Sequence, residues 1–562
     1  MQSRAGHMRH FAYAALLITS LTSCATIDDD DADEDLGDIG DGKADSFGIV
    51  DHASTIAPGH TRQFTFHANA AFRIAITQPN TDVADRPILS ATLTEPSAAT
   101  DKLTAGTEPS YVFSGDIGNG KFKLVIKNTG TKTANIVLNV RPQGGFGALP
   151  DPNADLYPDV AWQPGAIATW PTTYPIFNNP GCGKTCTQAQ QTEMGKRSVM
   201  IKMLVSAIHE VSDGGTVRVS NYNISGSATA KPVVDALVWA IQTKHATVRI
   251  VMDDAQNIAA STTTWLSQNG ADVRFLNGLT YSSGVGIMHS KIVAVDDKVV
   301  FTGSNNFSGS GFITNEENSV MLRSPANTTR ISSFICDIDN MFDIGVEAGK
   351  PQLSDAARKT ALLALDQCNG ADVWFPPTGM TANGASITFD HVTDAINNAK
   401  RSISIAPDMM ANPALVYAII ARAKKAKTAG DTFSVKLVLD ASEEALGNPA
   451  FGDCLEVSAQ KHGLDMQVRY WRGNPDIFQL NHHKFMLIDE DDPTGATLFN
   501  GSANYSSRAM QYSFENVTRY AGDYREVVDA FTGRFAKMFA AAQAKADLAV
   551  AAPTCPLGAS SL

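Results

Sequence analysis

The sequence predicts an α/β protein built from two tandem, similar halves, with a small all-β sandwich domain before them. Helical and strand-like segments alternate through residues 181–350 and again through residues 351–550, which indicates two α/β/α units. Residues 47–141 instead alternate apolar and polar side chains with period two, which is typical of antiparallel strands. With 562 residues the chain is long enough for about three domains of ordinary size.

The N-terminal 24 residues are predicted to direct export. Arg4 and Arg9 precede a short apolar run over residues 11–18, which is the pattern of a secretory signal. The segment Leu21-Thr22-Ser23-Cys24 resembles a bacterial lipobox, in which Cys24 becomes the lipidated first residue of the mature protein. The alternative is a plain secretory signal with an incidental cysteine. We therefore predict an exported outer-membrane or cell-surface lipoprotein, or else a periplasmic or secreted protein.

An acidic segment, residues 25–46, follows the signal. Residues 28–45 contain ten acidic residues and one lysine, so they contribute −9 to the formal net charge of −13. Like charges at this density repel one another, which predicts a disordered tether between the anchor and the folded body. The rest of the protein is therefore only mildly acidic.

Residues 47–141 are predicted to form the β-sandwich, because turn signals such as Gln78-Pro79-Asn80 separate their alternating segments. The alternating apolar residues are Phe64/Phe66, Phe72/Ile74/Ile76, Phe122/Leu124/Ile126 and Ile136/Leu138/Val140. The predicted role of this domain is that of a spacer or folding aid, with ligand binding as the alternative. Residues 142–180 are rich in Pro and Gly and are predicted to be a linker, and residues 551–562 a tail.

Six cysteines remain after Cys24, and an even number in an exported protein predicts disulfides. They are Cys182, Cys186, Cys336, Cys368, Cys454 and Cys555. Six thiols allow fifteen pairings, among which the sequence does not choose, although Cys182 and Cys186 are near enough to close a small loop. A zinc site is disfavoured because no second Cys pair or His pair has ligand spacing.

The order of predicted elements in the first half is repeated in the second. The first copy is predicted to contain a helix over residues 198–211, a strand over 217–222, a helix over 233–241, and strands over 248–253 and 272–276. The second copy is predicted to contain a helix before residue 401, a strand over 402–405, a helix over 415–425, and strands over 435–440 and 466–470. Because strands alternate with helices, we predict largely parallel sheets covered by helices.

Each copy ends with the same set of polar residues. The first set is His289, Lys291, Asp296, Ser304, Asn306 and Glu317, and the second is His482, Lys484, Asp489, Ser502, Asn504 and Glu515. The His, Lys and Asp of the two sets are 193 residues apart, and the Ser, Asn and Glu are 198 apart. Chance rarely keeps such a register, so we interpret both sets as parts of one functional site.

These residue types suit chemistry at a phosphate. Residues i and i+2 project from the same face of a strand, so each His and the Lys after it are predicted to point together. The Gly-Ser-x-Asn segment, residues 303–306 in the first half, allows close backbone approach and offers an amide that donates to an anionic oxygen. Each half thus offers an imidazole that can act as a nucleophile or an acid, a cation and a neutral donor.

The two sets together resemble the signature of the phospholipase D superfamily, the His-Lys-Asp phosphodiesterases, over about residues 198–538. The resemblance implies two tandem phospholipase D-like halves that pack about a pseudo-twofold axis and share one site. One histidine, His289 or His482, would attack phosphorus and form a phosphohistidine. The other would protonate the leaving alcohol and then activate water. Neither a metal nor another cofactor is implied.

The resemblance also implies a role for each remaining member of the two sets. The residues that would stabilise the phosphoryl oxygens are Lys291, Lys484, Asn306 and Asn504. Glu317 and Glu515 would orient the histidines. The members expected to be structural are Asp296 and Asp489, which would hold the turn that follows, together with Ser304 and Ser502.

Residues around the motifs are given supporting roles. His483 is predicted to support the site without touching the substrate. Three histidines are predicted to lie on ordinary helices: His209, His391 and His462. The segments before the motifs, residues 277–286 and 471–478, are predicted to be loops at the mouth of the site. There Trp471 and Phe478 would meet acyl chains or bases, or alternatively would pack between the halves.

The charge balance bears on the substrate. Nonspecific nucleic-acid binding favours a basic surface, and this body is mildly acidic, which disfavours nucleic acid. We predict a monomeric phosphoric diester hydrolase that cleaves phospholipid headgroup esters and is held at the membrane by a lipid on Cys24. The alternatives are a transphosphatidylase resembling cardiolipin synthases, a nuclease of the same superfamily, and, in a different class, a non-catalytic surface lipoprotein with a binding role.

Overall fold

The computed structural model describes most of residues 198–544 and a smaller part of the chain before them. The described residues are 38–39, 52–68, 72–78, 86–95, 100–103, 105–106, 110–113, 120–142, 172–178, 198–225, 227, 229–255, 261–281, 284–379, 386–441, 451–471, 479–544 and 555. Cys24, Cys182, Cys186 and Phe478 lie outside them, as do the whole signal and all of the tail except Cys555. What the sequence predicts for those residues stays a prediction.

The N-terminal domain is a sandwich of two sheets. Its strands are β1 (Asp38–Ile39), β2 (His52–Ile56), β3 (Thr61–Ala68), β4 (Phe72–Thr77), β5 (Leu89–Thr94), β6 (Thr100–Lys102), β7 (Ser110–Phe113), β8 (Gly120–Asn128) and β9 (Ala134–Pro142). One sheet has the order β1-β3-β8-β5-β6 and the other β2-β9-β4-β7. Phe64 and Phe122 of the first sheet share one apolar core with Ile74 and Ile136 of the second. The predicted sandwich is confirmed.

Strand β1 departs from the prediction of a disordered tether. Asp38–Ile39 lies inside the acidic segment and pairs in parallel with Thr65–Phe66 of β3. The edge of a sheet offers unpaired backbone N–H and C=O groups to any extended segment, whatever its side chains. Acidic composition therefore did not exclude a short strand there.

The first half forms an eight-stranded sheet with helices. Its strands are β10 (Thr173–Phe177), β11 (Thr216–Asn221), β12 (Thr247–Asp253), β13 (Asp272–Tyr281), β14 (Gly284–Ile287), β15 (Lys291–Val295), β16 (Val299–Gly303) and β17 (Asn318–Arg323). Its helices are α1 (Val199–His209), α2 (Lys231–Lys244), α3 (Ser261–Gln268) and α4 (Thr328–Ile344), with a π-helical turn at Ser310–Thr314. The order of strands is β10-β17-β16-β15-β11-β12-β13-β14.

The second half repeats this plan. Its helices are α5 (Asp355–Leu365), α6 (Ile387–Asn398), α7 (Pro413–Ala429), α8 (Phe451–His462), α9 (Ser507–Gln511) and α10 (Arg525–Ala541), with 3-10 turns at Asp366–Cys368 and Gly522–Tyr524. Its strands are β18 (Val373–Trp374), β19 (Ser402–Pro407), β20 (Met410–Ala411), β21 (Ser434–Asp440), β22 (Met466–Trp471), β23 (Lys484–Ile488), β24 (Thr497–Gly501), β25 (Tyr505–Ser506), β26 (Val517–Ala521) and β27 (Gln543–Ala544). The large sheet has the order β18-β26-β24-β23-β19-β21-β22-β27.

The prediction of largely parallel sheets is wrong for part of each sheet. Strands β11, β12 and β13 are parallel, as are β19, β21 and β22, because helices connect them. The strands that follow each His-x-Lys motif pair antiparallel: β15 with β11 and β16, and β23 with β19 and β24. Short turns join β15 to β16 and β23 to β24, and such turns permit only antiparallel pairing. The sheets are therefore mixed.

The predicted linker over residues 142–180 also requires correction. Its residues Thr173–Phe177 form β10, an edge strand that pairs antiparallel with β17 of the first large sheet. An edge strand satisfies only one side of its backbone, so Pro175 is tolerated there. The proline that suggested a linker is compatible with this strand.

Local sequence explains where the helices begin and end. Helix α7 starts after Asn412, whose side chain accepts from the backbone N–H groups of Ala414 and Leu415, and has Pro413 in its first turn. It ends at Gly430, which has a left-handed φ of 79° that suits glycine. In the first half, Ser198 caps α1 by accepting from the N–H of Ile201.

The two halves contain three apolar cores, one within each half and one shared between them. One lies on the outer side of each large sheet, under α1 and α2 in the first half and under α6, α7 and α8 in the second. The third is shared: Ile292 of β15 and Phe334 of α4 belong to the same cluster as Phe485 of β23 and Phe531 of α10. Because this cluster has residues from both sheets, the halves pack directly against each other.

Two disulfides lie in the described part of the chain. Cys336 of α4 is bonded to Cys368, and Cys454 of α8 is bonded to Cys555 near the C-terminus. Disulfides of this kind are compatible with export. None of the helices in the described ranges combines the length and apolar character that a membrane crossing requires.

Candidate active site

The two His-x-Lys elements begin interior strands of the two large sheets. Lys291 is the first residue of β15 and Lys484 the first of β23, so each histidine lies just before its strand. The ammonium of Lys291 donates to the carbonyl of His289 at 2.6 Å, and that of Lys484 to the carbonyl of His482 at 3.1 Å. The prediction that each histidine lies on the same strand as its lysine is therefore wrong, because the strand begins at the lysine, two residues after the histidine. The lysine is held close to its histidine by a hydrogen bond to the backbone.

Backbone pairing joins the segments before the histidines to the opposite half. The N–H of His289 donates to the carbonyl of Phe514 at 2.8 Å, and the N–H of His482 donates to the carbonyl of Glu316 at 3.0 Å. Met288 forms a bridge with Phe514, and Asn481 forms one with Glu316. These contacts are reciprocal, as a twofold relation between the halves requires. Both histidines therefore lie at the interface between the two halves, which we call the seam.

Each glutamate of the motifs contacts the histidine of the other half. Nδ1 of His289 lies 2.8 Å from Oε1 of Glu515, and Nδ1 of His482 lies 2.7 Å from Oε1 of Glu317. All four side chains are buried. A carboxylate at Nδ1 keeps the hydrogen of the neutral ring on that nitrogen. The lone pair of the neutral imidazole is then on Nε2.

The motif serines hold these glutamates. Ser304 donates to Oε2 of Glu317 at 2.6 Å, and Ser502 donates to Oε2 of Glu515 at 2.5 Å. Each serine oxygen also accepts a backbone N–H, from Asn318 at 3.0 Å or Asn516 at 2.9 Å. Each serine is therefore linked to an imidazole through one glutamate side chain.

The glycines before these serines are required by close packing. A Cβ on Gly303 would overlap the carbonyl oxygen of Asn318, and one on Gly501 would overlap that of Asn516. Asn306 and Asn504 follow in the same segments and are half-buried. Their Oδ1 atoms have no hydrogen-bond partner among the described residues. Their contact with a phosphoryl group stays a prediction.

The motif aspartates lie at the far ends of strands β15 and β23. Asp489 accepts from the backbone N–H groups of Lys400, Arg401 and Ser402, and Asp296 accepts from that of Thr216. Both aspartates have left-handed φ angles, 49° for Asp296 and 52° for Asp489. Their backbones lie in the turn that follows each strand, and their carboxylates hold the loop that precedes β11 or β19.

Burial shifts the titration of the groups at the seam. Burial lowers the pKa of His289 well below its ordinary value, and the positive charges of Lys291 and Lys484 act in the same direction. Burial lowers the pKa of Lys291 to about 7, although Glu515 opposes it. Burial raises the pKa values of Glu515 and Glu317, and the ammonium groups of Lys291 and Lys484 oppose this shift and favour the carboxylate forms. The charges of lysines and glutamates from both halves therefore shift one another's pKa values.

Sequence reasoning missed Asp408, which lies at this site. Its side chain is 1% exposed, and Oδ2 lies 3.1 Å from Nζ of Lys484 and 3.7 Å from Nε2 of His482. Asp408 follows β19 directly, at the end of a strand that had been predicted. Aligning the two copies at this strand end would have singled it out, because the first half has Tyr222 there.

Two further carboxylates were also missed. Asp253 ends β12 and accepts the N–H of Met288 at 2.8 Å, while Asp440 ends β21 and accepts the N–H of Asn481 at 2.5 Å. Each therefore fixes the residue before a motif histidine. Their matching places at the ends of repeated strands were the available signal.

The supporting histidine takes part in a buried network between the halves. Nδ1 of His483 accepts from the side-chain amide of Asn318 at 2.8 Å, and its Nε2 lies 3.7 Å from Glu316. Glu316 in turn pairs with Arg534 of α10. Burial lowers the pKa of His483 to about 4. The three other histidines predicted on helices are indeed on α1, α6 and α8.

The predicted mouth loops are corrected in part. Residues 277–281 and 284–286 are not a loop: they belong to the paired strands β13 and β14. The N–H of Leu279 donates to the carbonyl of Tyr512 in the second half at 2.7 Å. Trp471 ends β22 and is buried in the core shared by the halves, which favours the packing interpretation. Phe478 lies outside the described residues.

No group of three or more His, Cys, Asp or Glu side chains in the described ranges is arranged to hold a metal ion. The polar groups that meet at the seam are two imidazoles, two ammonium groups and three carboxylates. This set can bind an anion and transfer protons next to it.

Comparison with known proteins identifies the family. Residues 204–340 and 392–539, together just over half of the chain, match the family described as "Cardiolipin synthase, PLD-like domain". The chain belongs to the phospholipase D superfamily. Membership in this superfamily indicates an enzyme of phosphodiester chemistry, by hydrolysis or transfer. No curated protein matches the sequence.

Solved structures with similarity to this phospholipase D superfamily member include three from bacteria. The phosphatidylserine synthase of Haemophilus influenzae Rd KW20 has 12% identity and a TM-score of 0.48, over 66% of this chain and 87% of that one. The polyphosphate kinase of Porphyromonas gingivalis has 10% identity and a TM-score of 0.40, over 83% and 75%. The phospholipase D family member Nuc of Salmonella typhimurium has 19% identity and a TM-score of 0.21, over 31% and 95%.

Proposed function

We propose that the chain is a phospholipase D-type phosphodiesterase that hydrolyses phospholipid headgroup esters through a phosphohistidine intermediate. The observation that carries this proposal is the cross-paired site, in which Glu515 contacts His289 and Glu317 contacts His482 at 2.8 and 2.7 Å. Both motifs are complete, and a degenerate member would be expected to have lost one.

The chemistry follows from the two imidazoles. Nε2 of one histidine attacks phosphorus, the bond from phosphorus to the headgroup oxygen breaks, and the other histidine gives its Nε2 proton to that oxygen. The second histidine, now neutral, takes a proton from water. The water oxygen attacks phosphorus, the phosphorus–nitrogen bond breaks, and phosphatidate leaves.

The remaining motif residues stabilise charge during these steps. Lys291 and Lys484 are both 1% exposed, so their charges act on the phosphoryl oxygens with little screening by water. Asn306 and Asn504 would complete the binding of those oxygens. The proposed reaction uses no metal. Because one chain supplies both motifs, a second copy is not needed, which favours a monomer.

Transfer to an alcohol is the second candidate function. The family whose description matches the chain is named for cardiolipin synthase, which favours an alcohol as the acceptor in place of water. The histidines would act identically, except that the second would take its proton from the acceptor alcohol. We propose hydrolysis first because no feature of the described site distinguishes the two acceptors and water is in excess.

The proposed setting is the cell surface or outer membrane, with a lipid on Cys24 as the anchor. The two disulfides support export, and the segment Leu21-Thr22-Ser23-Cys24 supports lipidation. Incorporation of labelled palmitate into the full chain, and its loss in Cys24→Ala, would test this point. A wild-type chain that takes up no label would contradict the anchor.

A substrate panel tests the proposed reaction. The full chain is incubated separately with phosphatidylcholine, phosphatidylglycerol and single-stranded DNA, each with and without EDTA. We expect phosphatidate from the lipids, no cleavage of DNA, and no effect of EDTA. Cardiolipin formed from phosphatidylglycerol would establish transfer. Cleavage of DNA without turnover of lipid would replace the proposal with a nuclease.

Variants of the two histidines test whether turnover arises at the proposed site. His289→Ala and His482→Ala are each expected to lower kcat by at least about 10³-fold, since each removes a nucleophile or an acid. The matched control is His462→Ala, at the end of α8, which is expected to keep wild-type activity. If both motif variants kept full activity, the site assignment would be wrong. If the wild type turned over nothing, a binding protein would become the better account.

A further inference from the structure

The pseudo-twofold relation between the halves is broken at one position next to the histidines. Val217 pairs with Val295 in the first half, and Ile403 pairs with Ile488 in the second, so these two pairs are equivalent. Five residues after Val217 comes Tyr222, and five residues after Ile403 comes Asp408. The first half thus has a phenol ring where the second has a carboxylate.

Asp408 is fixed beside the reactive nitrogen of His482. Its Oδ2 lies 3.7 Å from Nε2 of His482 and 3.1 Å from Nζ of Lys484. Its backbone N–H donates to the carbonyl of His483 at 2.6 Å, so the residue is held at both backbone and side chain. The side chain is 1% exposed, and Oδ1 has no hydrogen-bond partner among the described residues.

Tyr222 presents a different environment to His289. The centroid of its ring lies 5.2 Å from that of the imidazole in an edge-on arrangement, and Nζ of Lys291 lies 5.7 Å from the ring centroid. An aromatic ring attracts a cation far less strongly than a carboxylate does at short range. Within the described part of the chain, His289 therefore has a carboxylate only at Nδ1, from Glu515, whereas His482 has one near each ring nitrogen.

Charged groups of both halves lie near the two imidazole rings. Those near His482 are Glu317 at Nδ1, Asp408 at Nε2, Lys484, whose ammonium donates to the backbone carbonyl of His482, and His289 across the seam. Those acting on His289 are Glu515, Lys291, Lys484, His482 and Arg508. Burial and the positive charges around His289 favour the neutral form of that ring. His482 has carboxylates beside both ring nitrogens, and a nearby carboxylate favours the protonated form of an imidazole.

We infer that Asp408 is a positioning residue that keeps His482 protonated at Nε2 and so makes it the general acid of the first step, leaving His289 as the nucleophile. This inference rests on the proposed function. Nε2 of His289 forms the bond to phosphorus, the bond to the leaving oxygen breaks, and that oxygen takes the Nε2 proton of His482. In the second step the neutral Nε2 of His482 removes a proton from water as the phosphorus–nitrogen bond breaks.

The leaving group provides the first test. An alkyl leaving group needs a proton, whereas 4-nitrophenolate leaves without one. We expect Asp408→Asn to lower kcat about 10²-fold on phosphatidylcholine and only a few-fold on a 4-nitrophenyl phosphodiester. Equal losses on both substrates would mean that Asp408 only maintains the fold, and the inference would be overturned.

The pH profile provides a second readout from the same variant. Activity needs protonated His482, so the rate is lost as pH rises through the pKa of this ring. Without the carboxylate the imidazolium is less stable and its pKa falls, so the basic limb is expected to move about one pH unit lower in Asp408→Asn. Tyr222→Phe, at the equivalent position, is expected to leave this limb in place. A limb that does not move in Asp408→Asn would contradict the inference.

An NMR titration of the free, ¹⁵N-histidine-labelled full chain needs no turnover. Its ring signals are assigned with His289→Gln and His482→Gln. We expect His482 to titrate at a higher pH than His289 in the wild type, and this order to narrow in Asp408→Asn. The reverse order in the wild type would overturn the inference even if lipid is hydrolysed. The expected order in a chain that hydrolyses no lipid would instead count against the proposed function alone.

Discussion

Oε1 of Glu515 in the second half lies 2.8 Å from Nδ1 of His289 in the first. The reciprocal contact, between Glu317 and His482, is 2.7 Å. Each half thus supplies a histidine and the carboxylate that contacts the other half's histidine. Neither half holds both members of a His–Glu pair, so the candidate site forms only when the two halves pack together.

Removing one of these carboxylate charges should impair catalysis more than folding. Glu515→Gln keeps a hydrogen-bond acceptor near Nδ1 but no longer stabilises an imidazolium, so we expect kcat to fall about 10²-fold with little change in KM. Steady-state kinetics on a phosphodiester would measure this effect. The matched control is Glu347→Gln, on the exposed surface of the first half. Unchanged kcat in Glu515→Gln would show that the contact has no role in the reaction.

Asp489 should matter for stability. Its carboxylate accepts three backbone N–H groups, from Lys400, Arg401 and Ser402, and its own φ is 52°. We expect Asp489→Ala to lower the free energy of unfolding by about 3 kcal/mol, because these hydrogen bonds to a charged group are lost. Asp489→Asn should lose less, since asparagine tolerates the left-handed conformation and keeps one acceptor.

Urea unfolding at pH 7 would measure these losses, with exposed Asp491→Asn as the control. A loss in Asp489→Ala no larger than that of the control would contradict the structural role.

The two disulfides should differ in what they contribute. Cys454 and Cys555 are separated by 101 residues, and Cys336 and Cys368 by 32. Closing the longer loop restricts the unfolded chain more, so replacing Cys454 and Cys555 by alanine should cost about 1 kcal/mol more than replacing the other pair. Denaturant midpoints of the two double variants, each under oxidising conditions, would measure the difference. A larger loss for the shorter loop would contradict the loop-entropy explanation.

Asp337 of α4 should make stability depend on pH. It is 1% exposed, its Oδ2 has no partner among the described residues, and burial raises its pKa well above the ordinary value of 3.8. As pH rises above 3.8, the unfolded chain loses this proton while the folded one keeps it, so stability falls by about 1.4 kcal/mol per pH unit until the folded pKa is reached.

Asp337→Asn removes this dependence and should be the more stable protein at pH 7, with an advantage that shrinks towards pH 4. Thermal unfolding at pH 4, 5.5 and 7 would check it, with exposed Asp343→Asn on the same helix as control. An advantage that is constant over this range would contradict the assignment of the effect to this carboxyl.

Much of the fold follows from local patterns. The repeated helices and strands of residues 198–544 lie within a few residues of the predicted ranges, because amphipathic periodicity and strand alternation are properties of short segments. The edge strand β10 was missed because its pairing partner, β17, lies more than 140 residues later. The disulfide partners were left open for the same reason. A pairing between distant segments leaves no periodicity in either one.

The sequence by itself predicted most members of the candidate site, because two copies of one motif in matching register single out His289, His482 and their companions without any coordinates. Only the tertiary structure decided which glutamate contacts which histidine. Glu515 contacts His289 rather than His482, and Asp408 breaks the symmetry beside His482. The physical reason is that a repeated motif specifies each half separately, whereas the packing of one half against the other sets the distances across the seam.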